Sequence, residues 1–295
     1  MIRKLWIVLA AGLILSACLP AQPVATTGPG LETIVAATFQ AMTAAAPPPT
    51  ATAAPPNGIP ISFQHVRFII PEGLALGANA EVVPLAGEEN SAPWDVAPEH
   101  IRFELYGYND QLAKARAMDI LVYPAQEYAR MSVGGGRSLS ELQAFLAAPG
   151  APIIEKNLPT VPFFNAAQMI AAQVKQVNFA SGTGVRMMVE YGQAVGAISN
   201  SATLYHFQGL TSDGMYYIVA ILPLGASILI NGGDPLAPPP PGGVQFPGYT
   251  TLNPSDYESY FQAVTSALNS ADPTVFSPSL ETLDALMESI TISTP

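Results

Sequence analysis

The N-terminal stretch is the feature that most constrains this chain, because it indicates where the remainder must fold. Two basic residues, Arg3 and Lys4, precede an apolar run from Leu5 to Leu15. A charged start, an apolar centre and a small-residue exit are typical of a secretory signal peptide. The apolar run is shorter than the roughly 17–25 residues that a membrane-spanning helix needs. We therefore predict that residues 1–17 are a signal peptide and that the remainder folds outside the cytoplasm.

The residues Leu15-Ser16-Ala17-Cys18 resemble the lipobox of exported bacterial lipoproteins. The resemblance implies that Cys18 becomes the first residue of the mature chain and carries a palmitate-type diacylglyceryl anchor on the extracytoplasmic face of the cell membrane. Two acyl chains suffice for stable anchoring. Cys18 is also the only cysteine of the chain, so lipidation would remove an otherwise unpaired thiol. The alternatives are an ordinary signal peptide, or a buried core helix with an incidental cysteine.

Residues 18–58 have the composition of a tether, since Ala, Pro and Thr dominate and Glu32 is the only charged residue. The run of residues 46–56 predicts an extended, semi-rigid chain of about 3.1 Å per residue. Apolar residues recur at helical spacing within residues 31–45. That segment is therefore either a short amphipathic helix or a weakly helical part of the linker.

The charge of the processed chain excludes two kinds of partner. Without residues 1–17 the chain keeps 9 basic and 22 acidic residues, a formal charge of −13. Arg186 is the last basic residue, and the 109 residues after it include nine acidic ones. Nucleic acid and anionic lipid headgroups both require clustered positive charge. Neither is therefore expected as a partner of the folded region.

Residues 59–295 are predicted to form a single α+β domain. Alternating or continuous apolar runs predict strands at residues 62–70, 101–106, 119–123, 168–179, 184–191, 203–210 and 215–222. Helical spacing and capping residues predict helices at residues 124–131, 138–147, 255–270 and 277–290. Residues 71–99 and 225–253 are predicted as proline- and glycine-rich loops, and residues 134–136 as a glycine joint. Adjacent hairpins with helices gathered elsewhere indicate a largely antiparallel sheet with helices packed on it.

Two short stretches resemble known families. The opening strand that ends in Pro71-Glu72-Gly73, and the last helix that runs into residues 289–292, look like the two ends of exported PsbP-like sandwich domains. Residues 205–217 are similar to a hairpin of the form YxFQGLTxDGxYY in uncharacterised bacterial lipoproteins. The second resemblance implies no activity.

The motifs of enzymes and cofactor proteins are missing from the sequence. No Gly-x-Ser-x-Gly motif is present, and His65, His100 and His206 have no metal-ligand spacing. The glycines around Thr183 lack the third glycine and the following helix of a phosphate-binding loop. We therefore predict no cofactor, no metal site and no catalytic residue. A carboxylate pair of the glycosidase type cannot be recognised without geometry.

Aromatic residues are the remaining candidates for a binding site. Tyr205, Tyr216, Tyr217 and Tyr249 lie in the last hundred residues, and aromatic platforms bind sugars and peptides, although core packing explains such residues equally well. The preferred hypothesis is a membrane-anchored, non-enzymatic binding or interaction domain for a protein or carbohydrate ligand. The alternatives are a surface glycan or peptide hydrolase that uses carboxylates, and a transport-associated substrate-binding lipoprotein.

Overall fold

The computed structural model describes residues 57–87, 91–108, 118–150, 158–250 and 253–293. The predicted signal peptide, Cys18 and the tether up to residue 56 lie outside the described residues. The strands are β1 (Gly58–Phe63), β2 (Val66–Pro71), β3 (Gly77–Val83), β4 (His100–Tyr106), β5 (Asp119–Pro124), β6 (Ala167–Phe179), β7 (Gly182–Gly192), β8 (Leu204–Thr211), β9 (Tyr216–Pro223), β10 (Gly225–Ala226), β11 (Phe276–Ser277) and β12 (Thr291–Ile292). The helices are α1 (Ala125–Met131), α2 (Val133–Ala147), α3 (Pro254–Ser270) and α4 (Leu280–Glu288).

Seven of the strands form one central sheet in the order β3-β4-β5-β9-β8-β7-β6. Every neighbouring pair in it is antiparallel. A smaller sheet has the order β1-β2-β12, and β10 pairs with β11. The predicted α+β class, with a largely antiparallel sheet built from hairpins and helices packed on it, is confirmed.

Both faces of the central sheet are covered. Helices α1 and α2 and the segment from residue 158 lie on one face, over a core that includes Leu142, Val185 and Val219. The β1-β2-β12 sheet, α3 and α4 pack on the other face, over a core that includes Phe68 and Phe207. Each such buried side chain contributes about 1.5–3 kcal/mol through the hydrophobic effect. This double coverage explains why β9 is apolar on both sides.

Strands β1 and β3, and the two-residue strands β10 and β11, were not predicted as such. The predicted strand at residues 62–70 is a hairpin, in which β1 and β2 are joined at Gln64, a residue with φ of 50°. Gly58, predicted as the last tether residue, is the first residue of β1. Strand β3 lies within residues 71–99, which were predicted to be a loop.

Two helix starts also differ from the prediction. Residues 134–136 are not a joint, because α2 already begins at Val133, where the side chain of Ser132 accepts a hydrogen bond from Gly135 N at 3.2 Å. Helix α3 is capped by Asn253, whose Oδ1 accepts from Ser255 N at 3.2 Å. Among the described residues, no helix has both the length and the apolarity that a membrane crossing requires.

Candidate ligand-binding surface

The four tyrosines singled out in the sequence do not meet in one place. Tyr205 and Tyr217 are buried in the two cores on opposite faces of the central sheet. Tyr216 is half-buried at the start of β9, and its ring centroid lies 4.7 Å from that of His65. Tyr249 is 58% exposed on the loop between β10 and α3. Of the four, Tyr249 alone offers most of its ring to solvent.

Tyr205 belongs to a charged group, the Asp284 cluster (Lys175, Arg186, Tyr205 and Asp284), in which the Lys175 side chain is exposed and the other three residues are buried. The Tyr205 hydroxyl donates to Asp284 Oδ1 at 3.0 Å, and Lys175 Nζ donates to Oδ2 at 3.0 Å. Arg186 Nε lies 3.2 Å from Asp284 Oδ1 without the alignment of a hydrogen bond. Arg186 Nη1 donates to the backbone oxygen of Gln173. Because these contacts join β6, β7 and β8 to α4, we assign the cluster a structural role.

Tyr217 belongs to a polar network on the opposite face of the sheet. Its hydroxyl donates to Gln208 Oε1, which also accepts from Val161 N at 3.2 Å. His206 Nε2 lies 2.9 Å from Val161 O, and its Nδ1 lies 2.9 Å from the Tyr191 hydroxyl. Since a carbonyl oxygen only accepts, the proton of neutral His206 is on Nε2. Burial lowers the pKa of His206 to about 4. These groups satisfy one another and fix the segment at Val161 to the sheet.

Three carboxylates, Glu81, Glu104 and Asp119, lie on the neighbouring strands β3, β4 and β5. Arg102 Nε donates to Asp119 Oδ1 at 3.0 Å, and its Nη1 lies 3.4 Å from Glu81 Oε1. Glu104 stands directly opposite Asp119 in the register of β4 and β5. Burial raises the pKa of Asp119, and the hydrogen bond from Arg102 opposes that shift. Glycosidases use two carboxyl groups, one of them with a raised pKa, so Asp119 and Glu104 are the candidates for such a pair.

Exposed apolar residues lie on two loops that approach each other at Tyr249, and we call Val195, Leu236 and Tyr249 the Tyr249 surface. Their exposed fractions are 37%, 55% and 58%. A Cβ on Gly196 would lie 4.0 Å from the Tyr249 hydroxyl, and a Cβ on Gly248 would lie 3.3 Å from Leu236 Cδ2. The surface is therefore built from two loops, one after β7 and one after β10.

An aromatic cluster supports the Tyr249 ring from below. The Phe246 centroid lies 5.2 Å from that of Tyr249, 5.2 Å from that of Tyr260 and 6.1 Å from that of Tyr257. The Tyr257 hydroxyl donates to Gly248 O at 3.1 Å, next to Tyr249 in the chain. Aromatic pairs of this kind add about 0.5–1.5 kcal/mol beyond the area they bury. Tyr249 is thus held in place by residues of its own loop and of α3.

The loop that carries Leu236 and Tyr249 is pre-organised. Residues 238–241 are four prolines, each with a fixed φ, and Gly243 N then donates to Pro240 O at 2.9 Å. Asp234 Oδ1 accepts from Leu236 N at 2.9 Å. The cavity beneath the loop measures about 10 Å³, which is room for about one water molecule. A ligand here would therefore bind on the surface and not in an enclosed pocket.

The Tyr249 surface has acidic and neutral polar neighbours. Asp234 and Gln245 are both exposed, and Gln245 Nε2 lies 3.5 Å from Leu236 O. No Lys or Arg follows Arg186 in the sequence, so these loops and α3 carry no basic side chain. The surface thus favours neutral ligands over anionic ones.

Sequence reasoning missed Val195 and Leu236, because single apolar residues in loops produce no periodic pattern. A usable signal was the group Phe246-Pro247-Gly248-Tyr249, which places two aromatic residues in a turn. Across the described parts of the chain, no three His, Cys, Asp or Glu side chains are grouped to hold a metal ion.

No protein-family model matches the chain. No curated protein matches it. No solved structure matches the fold.

Proposed function

We propose that the chain is an extracytoplasmic lipoprotein, anchored by a lipid on Cys18, whose folded region is a non-enzymatic binding domain for a neutral glycan. The single observation that carries the ligand class is the exposed ring of Tyr249 on a pre-organised loop. The support for the anchor is the sequence of the first 18 residues.

A neutral glycan fits the chemistry of the Tyr249 surface. A pyranose ring presents flat patches of C–H groups that pack against an aromatic face, and its hydroxyl groups need hydrogen-bond partners. Tyr249 supplies the aromatic face, while Asp234 and Gln245, which contact the backbone of Leu236, supply exposed carboxylate and amide groups on the same loop. A peptide or protein ligand is the alternative, since aromatic and apolar side chains also recognise peptides.

The glycan proposal is tested by affinity electrophoresis of the chain in gels that contain neutral polysaccharides such as glucans, mannans and galactans. We expect retardation in at least one gel, and Tyr249→Ala should weaken binding at least tenfold, which is about 1.4 kcal/mol. Tyr106→Ala, which removes a ring 46% exposed on β4, is the matched control and should bind like the wild type. Failure of every neutral polysaccharide, or equal binding by Tyr249→Ala, would contradict the proposal. Retention by immobilised peptides alone would support the protein alternative.

The anchor is tested separately with Cys18→Ser. This variant should lose metabolic labelling by fatty acid and should leave the membrane fraction, because its side chain cannot form the thioether. Ser16→Ala replaces one small residue by another and should keep both properties. Unchanged labelling and membrane retention in Cys18→Ser would refute lipidation.

A hydrolase is the second candidate function, and one observation favours it: Glu104 faces Asp119, whose pKa is raised by burial. Release of reducing sugar from a glycan, abolished by both Asp119→Asn and Glu104→Gln, would support this candidate over simple binding. The transport-associated hypothesis is not carried forward, because the described residues are arranged around one central sheet and not as two lobes.

A further inference from the structure

Strand β3 is the outermost strand on one side of the central sheet. Among the described residues it pairs with β4 alone, in an unbroken register from Gly77 opposite Tyr106 to Val83 opposite His100. Strand β1 approaches β3 but does not pair with it, so the outer backbone groups of β3 have no strand partner in the described part of the chain. Such an edge is a template for another strand.

The other strand edges in the described parts of the chain are protected. Strand β6, at the opposite side, carries two register shifts, and Gln173 N in it already donates to Asn269 Oδ1 at 2.6 Å. Strand β1 contains Pro60, and β12 has two residues. Bulges, proline and short length are the usual means of blocking edge pairing. Strand β3 has none of them, and Glu81 is its single charged residue.

We propose that two copies of this chain associate by pairing β3 with β3 in antiparallel orientation. A full overlap of seven residues places Ala80 on the two-fold axis, opposite Ala80 of the second copy. Ala78 then faces Val82, and Asn79 faces Glu81. The two central sheets then become one continuous sheet of fourteen strands, in which equivalent faces of the two copies lie on the same side. A symmetric, self-complementary contact is the commonest form of homo-oligomer.

Charge and size at this edge fit a second copy. In the full overlap Glu81 does not face its own counterpart, and Arg102 already pairs with it at 3.4 Å. A register that places the two Glu81 side chains opposite each other would bring like charges together and shorten the overlap. Ala78 and Ala80 are small, and Val82, which is 39% exposed, would be covered in the pair.

Cysteine cross-linking tests the register directly. In the full chain carrying Cys18→Ser, an introduced cysteine is the only thiol. Facing residues of antiparallel strands have Cα atoms about 4.5–5.5 Å apart, inside the range of about 4.4–6.8 Å for disulfides. Ala80→Cys should therefore give an oxidised dimer on a non-reducing gel. Val83→Cys is the matched control and should remain monomeric, because its two copies would lie about 20 Å apart.

Light scattering on the detergent-solubilised chain supplies an independent measurement. The wild type should be a dimer, and Val82→Lys should weaken association at least tenfold by burying a charge. Met215→Lys, at a site 47% exposed in the turn between β8 and β9, should leave association unchanged. A monomeric wild type, or equal cross-linking at positions 80 and 83, would overturn the proposal. Failure of the dimer would not count against glycan binding, and failure of glycan binding would not count against the dimer, since Tyr249 lies on the loop between β10 and α3 and not on β3.

Discussion

Asp284 shows how one side chain can join several elements of a fold. It lies on α4, is 5% exposed, and contacts side chains from β6, β7 and β8. Its carboxylate balances the charge of Arg186, which is equally buried. A buried ion pair adds little over an apolar pair of the same shape, but removal of one partner leaves an uncompensated charge.

We therefore predict that Asp284→Asn strongly destabilises the protein. The amide keeps the shape of the side chain but leaves Arg186 without a counter-charge, and the expected loss is about 3–5 kcal/mol of unfolding free energy. Urea denaturation followed by circular dichroism measures it. Glu281→Gln, an exposed acid on the same helix, should stay within about 0.5 kcal/mol of the wild type. A similar midpoint for Asp284→Asn and Glu281→Gln would contradict the assignment.

At this scale the sequence predicts less than the structure shows. Helical spacing predicted the helix at residues 277–290, whose apolar stripe includes the buried residues Leu283 and Met287. Asp284 is buried beside them, but nothing in the sequence marks it as the partner of a distant cation. Arg186 lies on the face of β7 opposite to Val185 and Met187, and no local pattern shows that α4 and the Asp284 cluster bury it there. Contacts between residues about a hundred positions apart leave no local pattern.

Elements with strong local chemistry are the ones that the sequence predicts well. Asp213-Gly214 lies between the predicted strands at residues 203–210 and 215–222, and Asp-Gly is a strong hairpin signal because such turns need a residue with positive φ. The structure has this hairpin in β8 and β9, with Gly214 at φ of 71°. Strand β3 was missed because its residues, GANAEVV, are mostly small and do not alternate cleanly. Strand β1 was missed because it contains a proline and its turn lacks glycine. Their strand conformation depends on pairing with β4 and β2, not on local preference.

The turn of the β8–β9 hairpin leads to a prediction about Gly214. A Cβ there would meet no neighbour within 4 Å, so the cost of Gly214→Ala is conformational alone. The left-handed backbone disfavours alanine, and we expect a loss of about 1 kcal/mol in the free energy of unfolding. Urea denaturation with Ser212→Ala as a control for the same turn measures it. Equal stability of the two variants would show that the turn can relax.

In the whole molecule, the central sheet separates two largely buried polar networks, one on each of its faces. Sequence reasoning could count tyrosines but could not tell that Tyr205 and Tyr217 lie on opposite faces, because both strands are covered on both sides. Tyr249 was identified, whereas Val195 and Leu236 come from loops that only the fold brings together. Of the three residues of the Tyr249 surface, the sequence therefore predicted one, and the fold was needed to find the other two.

The buried His206 makes the stability of the whole molecule depend on pH. Burial lowers its pKa to about 4 from an ordinary value of 6.5. The unfolded chain therefore binds a proton between pH 6.5 and 4 that the folded protein does not, and stability falls as the pH falls through this window. The full effect is about 3 kcal/mol. His65 and His100, whose pKa values burial also lowers, act in the same direction, and Asp119, with a raised pKa, acts in the opposite one.

Comparison with His206→Gln isolates this contribution, because the other groups are common to both proteins. Urea midpoints at pH 7 and pH 4.5 should show a smaller loss of stability for the variant than for the wild type. His65→Gln, at a half-buried position, should retain most of the wild-type loss. Identical losses in the wild type and in His206→Gln would exclude His206 as the main titrating group.

Strand β2 lies between β1 and β12, so the beginning and the end of the folded region complete one sheet together. Arg67 pairs with Thr291, and the hydroxyl of Ser289 accepts from Ile69 N at 2.9 Å. If the chain is exported N-terminus first, as proposed, the strands nearest the tether emerge early but lack their last partner until residue 292 has crossed the membrane. Folding then cannot proceed stepwise from the tether, since such long-range pairing forms late. The β1-β2-β12 sheet would therefore be completed only after β12 has crossed the membrane. Until then the apolar side of β2 needs protection from aggregation.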